Sequence, residues 1–193
     1  IFITHLHGDH IYGLPGLLTS RSYQGGIDRL TIFGPRGIRT FVDTALKLSG
    51  AHLTYELKIK EIAEEGVLWE DGKFRVEAAN LQHRMDCYGF RIVEKDKTGR
   101  LDADRLRELG VPPGPLYGRL KSGETVTLPD GRVVDGSKLV GPPIPGRVIA
   151  ILGDTRKCDA SVQLAKKADV LVHEATFSAD KAELAREFYH STT

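Results

Sequence analysis

Short runs of apolar, often β-branched residues recur along the chain, and several of them are followed within two residues by a polar, chemically functional side chain. The clearest examples are residues 1–4 before His5, residues 148–152 before Asp154, and residues 170–172 before Glu174. Runs of this length are typical of buried strands. Between the first two runs, an apolar residue recurs with helical spacing over residues 38–46, which predicts an amphipathic helix. Strands that alternate with helices predict a layered α/β domain with its sheet layers inside.

The remaining elements follow the same alternation. Half-buried or buried strands are predicted over residues 53–59, 74–78 and 88–93, and helices are predicted near residues 17–18 and over residues 179–189. The strands that end in polar residues, including the one at 170–172, are predicted to be buried.

The pattern of apolar and polar residues changes between Glu94 and Arg147. A polar stretch over residues 95–100 precedes a short helix over residues 101–109, and a hairpin with its turn at Asp130 and Gly131 is predicted over residues 124–133. This stretch is predicted to have little core-forming content, and long insertions of that kind are usually functional or mobile. The predicted division is therefore 1–94 and 147–193 for one core domain, with 95–146 as an insertion.

Charge and composition exclude some classes of protein. The net charge is +1 and the pI is near 8.0, so a polyanion has to be bound by a local basic patch rather than by the whole surface. No apolar run is long enough to span a bilayer and no signal peptide is recognisable, which predicts a cytoplasmic protein with no membrane partner. The two cysteines, Cys87 and Cys158, are predicted to be reduced thiols.

Three of the seven histidines fall within six positions, together with an aspartate. His5 and His7 project the same way in extended geometry, while Asp9 and His10 follow a turn at Gly8 and can face a second point. Imidazole nitrogens and carboxylate oxygens are ligands for Zn²⁺, and two such pairs side by side suit two ions. The cluster therefore predicts a dinuclear metal site at the end of a strand.

The string HLHGDH over residues 5–10 resembles the HxHxDH signature of the metallo-β-lactamase superfamily, and its continuation IYGLPGLL over residues 11–18 is similar to the ribonuclease Z family. Two later strings, HEAT at residues 173–176 and HST at residues 190–192, resemble motifs of the same family. The resemblance implies an α/β fold, the metallo-β-lactamase αββα sandwich with an inserted protruding arm. It also implies that the N- and C-terminal parts of that domain lie outside this chain.

The resemblance also implies a ligand set for two Zn²⁺ ions per subunit of the complete protein. One ion is held by His5, His7 and His83, the other by Asp9 and His10, and Asp154 bridges both. Read alone, His83 is more often structural, and Asp154 could instead cap the next helix. The last metal-binding histidine of the family is expected beyond Thr193.

The implied activity is the removal of the 3′ trailer from tRNA precursors, which leaves a 3′-hydroxyl on the tRNA and a 5′-phosphate on the trailer. Asp9 is expected to accept a proton from the attacking water, and His190, oriented by Glu174, to serve the leaving oxygen. The insertion is implied to clamp precursor tRNA as an exosite, and the resemblance implies a homodimer. The expected tRNA-binding residues are Gly114, Pro115, Arg105, Arg107 and Lys121.

Two other interpretations stay open from the sequence. The first is a small-molecule phosphodiester or ester hydrolase of the same superfamily, which would use the same two metal ions. The second is a non-catalytic RNA-binding or dimer partner that has lost its metal site. The HEAT and HST strings count against the first, and the complete set of predicted ligands in this chain counts against the second.

Overall fold

The computed structural model describes all residues from 1 to 193 and divides into two compact units. The first unit comprises Ile1–Val93 and Val148–Thr193, and the second is the continuous stretch Glu94–Arg147. The boundaries predicted for the insertion, 95–146, fall inside the second unit.

Helices and strands alternate over residues 30–61 and again over residues 148–188, whereas residues 57–94 form four consecutive strands. In order the elements are α1 (Gly8–Ile11), α2 (Gly13–Tyr23), β1 (Leu30–Gly34), α3 (Ile38–Leu48), β2 (Leu57–Glu61), β3 (Gly66–Glu70), β4 (Phe74–Asn80), β5 (Tyr88–Glu94), α4 (Ala103–Glu108), α5 (Pro115–Lys121), β6 (Thr125–Thr127), β7 (Val133–Asp135), β8 (Val148–Ile151), α6 (Asp159–Ala165), β9 (Val170–Val172) and α7 (Ala182–Phe188).

Two sheets and the helices outside them form the first unit. β1 and β2 pair in parallel through the α3 crossover, and the other sheet has the order β3-β4-β5-β8-β9. The apolar faces of α2 and α3 pack on β1 and β2 around Leu18, Ile32 and Val42, all of which are fully buried. α6 packs on the larger sheet through Leu164. This helix–sheet–sheet–helix arrangement agrees with the predicted fold class.

The N-terminal segment links the two sheets, although it is not the strand predicted over residues 1–4. It pairs with β1 only through a bridge between Phe2 and Phe33. The Phe2 ring stacks on Phe33 with centroids 5.0 Å apart and lies 5.4 Å from the ring of Phe90 on β5. The segment therefore lies between the two sheets, and His5 lies at its end.

One prediction about burial is wrong. Val170, Leu171 and Val172 are about half exposed, not buried. The reason is topological, because β9 lies at the edge of its sheet and no helix or strand in this chain lies beyond it.

The second unit contains α4, α5 and the short hairpin β6–β7, with β6 and β7 antiparallel. The prediction that this stretch has little core-forming content is wrong. Seven apolar residues are buried in one cluster: Leu106, Val111, Leu120, Val126, Leu128, Val134 and Leu139. They are spread over four short elements and the turns between them, so no single stretch shows a strong periodicity, yet together they form a small core of their own.

Some local predictions shifted or were missed. The predicted strand over residues 53–59 begins only at Leu57, and the predicted helix over 179–189 is a short 3₁₀ turn followed by α7. β3, α5 and α6 were not predicted.

Both cysteines are free, and burial raises the pKa of the Cys87 thiol to about 12. None of the helices could span a lipid bilayer.

Candidate metal centre

The residues predicted as metal ligands come from four separate places in the first unit. His5 and His7 end the extended N-terminal segment, Asp9 and His10 lie on α1, His83 lies between β4 and β5, and Asp154 follows β8. The fold brings ligand atoms of His5, His7, His83 and Asp154 within 4.8 Å of one another. The ring centroids of His5, His7 and His83 are between 4.8 and 5.0 Å apart.

His5 is the most deeply buried member of this cluster. Its side chain is fully buried, and Nδ1 lies 3.0 Å from the Thr4 hydroxyl, while Nε2 has no hydrogen-bond partner. Burial lowers the pKa of His5 to about 4, with a smaller contribution from the neighbouring His10. The imidazole is therefore neutral at physiological pH, and this is the form that binds a metal ion.

Asp154 connects His5 with a second group of side chains. Its Oδ2 atom lies 3.6 Å from Nε2 of His5 and 3.5 Å from Nε2 of His10. His10 in turn lies 3.4 Å from Oδ2 of Asp9, whose side chain is 79% exposed. One carboxylate therefore faces histidines from both predicted groups, while Asp9 lies at the solvent edge.

The residues present fit a metal ion. A buried ring nitrogen without a partner is costly unless something binds it, and Nε2 of His5 is such an atom. Three imidazoles and a carboxylate that converge within 4.8 Å are a donor set that suits Zn²⁺. The cluster can therefore hold a metal ion, and His10 and Asp9 extend it on the solvent side.

A backbone carbonyl orients His83. Nδ1 of His83 lies 3.2 Å from the carbonyl oxygen of Tyr189. A carbonyl only accepts hydrogen bonds, so Nδ1 carries the proton and Nε2, which lies 3.2 Å from Nδ1 of His7, faces the cluster. Such support of the second ring nitrogen is usual for metal-binding histidines.

Glu174 lies at the centre of a network beside the cluster. Its carboxylate accepts from the backbone N–H groups of Thr155, Thr176 and Ser191, and Oε1 lies 3.1 Å from Nδ1 of His190. Burial alone would raise the pKa of Glu174, but the N–H groups of Thr176 and Ser191 outweigh it and hold the pKa below its ordinary value. Glu174 is therefore an ionised acceptor that orients the His190 ring.

His190 borders the histidine–aspartate cluster directly. Its ring centroid lies 5.1 Å from that of His83 and 5.9 Å from that of Phe177. Since Nδ1 faces Glu174, Nε2 is the nitrogen left to act on a substrate. The structure thus brings together the predicted ligands and the His190–Glu174 pair.

Two residues of this network were missed in the sequence. Thr155 is fully buried, and its hydroxyl joins the Gln82 backbone to the loop that carries Asp154. Tyr189 adopts a left-handed backbone conformation, with φ at 60°, which turns its carbonyl toward His83. No sequence signal marks Tyr189, but a threonine directly after a predicted metal ligand could have suggested the role of Thr155.

The residues predicted to bind tRNA lie within the second unit. Arg105 and Arg107 lie on α4, Gly114 and Pro115 begin α5, and Lys121 lies in its last turn. Arg105 pairs with Glu108 at 2.6 Å, and Arg107 pairs with Asp104. Lys121 makes no ion pair.

No family model matches the chain, but many individual proteins do. It is 64% identical to ribonuclease Z from Anoxybacillus flavithermus, 59% identical to that from Geobacillus kaustophilus and 56% identical to that from Bacillus cereus. Each alignment covers the whole chain but only 62 or 63% of the relative. The chain therefore spans somewhat less than two thirds of the length of the curated relatives that it matches.

Solved structures agree with this. Human tRNase Z, short form, is 30% identical, with a TM-score of 0.68 over 100% of this chain and 63% of its own. A metallo-β-lactamase fold protein from Bacillus subtilis is 17% identical, with a TM-score of 0.54 over 99% of this chain and 54% of its own, and supports the fold alone. Over its whole length this chain is therefore similar to ribonuclease Z, and it has the metallo-β-lactamase fold.

Proposed function

We propose that the whole protein is a zinc-dependent endoribonuclease that removes the 3′ trailer from tRNA precursors. The observation that carries the proposal is the His190–Glu174 pair beside the histidine–aspartate cluster. A small-molecule hydrolase can use a metal site alone, because its leaving groups are often good ones. Release of a sugar 3′-oxygen from RNA benefits from a positioned acid, and His190 can be that acid.

The proposed ligands are His5, His7 and His83 for one zinc ion, Asp9 and His10 for the other, and Asp154 for both. Two zinc ions, when bound, act as Lewis acids on water and on the phosphoryl oxygens. The roles of the surrounding side chains follow from their contacts. Thr4 and the Tyr189 carbonyl orient His5 and His83, and the buried Thr155 holds the loops of His83 and Asp154 together.

Proton transfer falls to two side chains at opposite ends of the proposed reaction. Asp9 is an exposed carboxylate at the solvent edge of the cluster, and it accepts the proton of the attacking water. His190 has Nδ1 against the carboxylate of Glu174, which fixes the orientation of the ring, and Nε2 delivers a proton to the departing 3′-oxygen. The products are a tRNA with a 3′-hydroxyl and a trailer with a 5′-phosphate.

The second unit is proposed to bind the tRNA body away from the reaction. It carries ten lysines and arginines against eight aspartates and glutamates, so its net charge is small. Arg105 and Arg107 are in exposed ion pairs, which contribute only about 0–1 kcal/mol each, and a phosphate group can replace their partners. Gly114, Pro115 and Lys121 complete the proposed contact. Homodimer assembly stays a prediction from the resemblance, and a cytoplasmic location stays a prediction from the amino-acid sequence.

The direct test of the function is cleavage of a tRNA precursor by the zinc-loaded whole protein, with both ends of the products mapped. We expect one cut at the trailer junction, a 3′-hydroxyl on the tRNA and a 5′-phosphate on the trailer. A nitrophenyl phosphodiester serves as the comparison substrate. Hydrolysis of that diester without any cleavage of the precursor would favour the small-molecule hydrolase instead. Absence of bound metal together with retained RNA binding would favour the non-catalytic alternative.

Removal of the second unit tests its role. Val93 and Val148 are antiparallel partners at the ends of β5 and β8, so a two-residue Asn-Gly turn can replace Glu94–Arg147. We expect zinc content and nitrophenyl diester hydrolysis to persist. Affinity for precursor tRNA should fall by about 10²-fold or more, because one of two linked binding modules is lost. Binding is measured by filter retention or anisotropy.

A further inference from the structure

A cavity of about 410 Å³ opens beside His190 on the first unit. Its polar lining consists of Arg156, Lys157, Arg186, His190, Ser191 and Thr192, and the rest is the small apolar surface of two alanines. We call it the cation-lined cavity. Three cationic side chains and two hydroxyl groups line it, and no carboxylate does.

The cations of this cavity are available for a ligand. Lys157 and Arg186 are exposed and form no ion pair with any carboxylate of the chain. Arg156 is half-buried and is fixed in place, since Nε donates to the side chain of Gln82 at 2.9 Å and its guanidinium lies 4.4 Å from the Tyr189 ring centroid. Like charges held together without counter-charges are unfavourable unless an anion joins them. The lining therefore suits a phosphate group.

The position of His190 indicates which phosphate that is. His190 forms part of the wall of the cavity, and its ring also packs against His83 of the histidine–aspartate cluster. The proposed function assigns His190 to the departing 3′-oxygen, which belongs to the last nucleotide of the tRNA body. The next phosphate along the backbone on that side is the 5′-phosphate of the same nucleotide.

We infer that the cation-lined cavity binds the 5′-phosphate of the nucleotide whose 3′-oxygen is released. This inference rests on the proposed function and adds a subsite to it. Arg156 supplies a fixed guanidinium, Lys157 and Arg186 supply exposed charges, and the Thr192 hydroxyl adds a donor. The Ser191 hydroxyl donates to the Thr155 carbonyl at 2.6 Å and forms part of the wall only. Such a phosphate contact holds the ribose of the leaving nucleotide against His190 and sets the register of the cut.

The test uses charge reversal at the two exposed cations. Lys157→Glu and Arg186→Glu should each raise KM for a tRNA precursor by on the order of tenfold, because a charge-assisted contact to phosphate is lost. The slope of log affinity against log salt should become shallower by about 0.7 for each lost contact with a single strand. Lys157→Arg keeps the charge, so its KM and its salt slope should match those of the unchanged protein. Zinc content should stay the same in every variant. Lys58→Glu is the matched control, since Lys58 is exposed, makes no ion pair and does not line the cavity.

A chemical change in the substrate identifies the phosphate. Replacement of that 5′-phosphate by a neutral methylphosphonate should weaken the binding of the RNA to the unchanged protein. The same replacement should have little further effect on RNA binding by the Lys157→Glu variant. Equal losses in both proteins, or an unchanged KM in both charge-reversed variants, would overturn the inference. If the unchanged protein cuts no precursor at all, the proposed function fails instead, and binding of the two RNAs still reports on the cavity.

Discussion

His190→Ala is expected to lower turnover on a tRNA precursor by about 10²–10⁴-fold, the usual contribution of a positioned acid or base. Zinc content should not change, because the proposed ligands lie elsewhere and His190 only packs against His83. The metal site can activate water without His190, but it cannot easily expel a sugar alkoxide. Single-turnover cleavage of the precursor and elemental analysis of the variant are the measurements.

The leaving group provides the control for this prediction. A nitrophenyl diester releases a stable phenolate and needs no acid, so its hydrolysis should be far less sensitive to His190→Ala. Equal losses on both substrates would show that His190 supports the metal site rather than the leaving oxygen.

Glu174 should be coupled to His190. Glu174→Ala should lower turnover in a similar way. The fold-loss of turnover in the double variant should be much smaller than the product of the two single fold-losses. Glu174 also accepts N–H groups of Thr155, Thr176 and Ser191, so its loss should lower stability as well, by roughly 1–3 kcal/mol for each donor that stays buried and unpaired. Glu174→Gln is therefore a useful companion, because it keeps the size of the side chain. Fully multiplicative losses would contradict a joint role.

Asp154→Ala is expected to remove most of the bound metal. The reason is geometric, since Oδ2 of Asp154 lies 3.6 Å from Nε2 of His5 and 3.5 Å from Nε2 of His10, which belong to the two proposed sites. Loss of one carboxylate should therefore affect both ions. Activity on RNA and on the nitrophenyl diester should fall together, unlike the result expected for His190. Elemental analysis after dialysis gives the metal content.

His83→Ala is the matched comparison for Asp154→Ala. His83 lies with His5 and His7 but has no contact with Asp9 or His10, so its loss should lower occupancy chiefly at one site. Two zinc ions per chain in Asp154→Ala would contradict the bridging role. Full occupancy in His83→Ala would return His83 to a structural role.

Much of the candidate metal centre could be predicted because four of its residues are close together in the sequence. His5, His7, Asp9 and His10 are neighbours in the sequence, so their spacing alone indicated ligands. Asp154 is distant in the sequence, and its assignment came only through the family resemblance. Thr155 and Tyr189 could not be found in this way, because each acts through contacts made across the fold.

The amino-acid sequence by itself indicated a mixed α/β fold, the candidate ligand types and their order along the chain, because these depend on local periodicity and residue chemistry. Only the tertiary structure decided which side chains are buried and which cations share a cavity. Val170–Val172 is as apolar as a core strand, yet its place at the sheet edge leaves it half exposed. The second unit looks polar, yet seven scattered apolar residues meet in one core. Arg156 and Arg186 are separated by thirty positions, and they line one cavity only because the loop after β8 and the end of α7 meet. Burial and charge clustering depend on contacts between distant parts of the chain, so local sequence patterns cannot predict them.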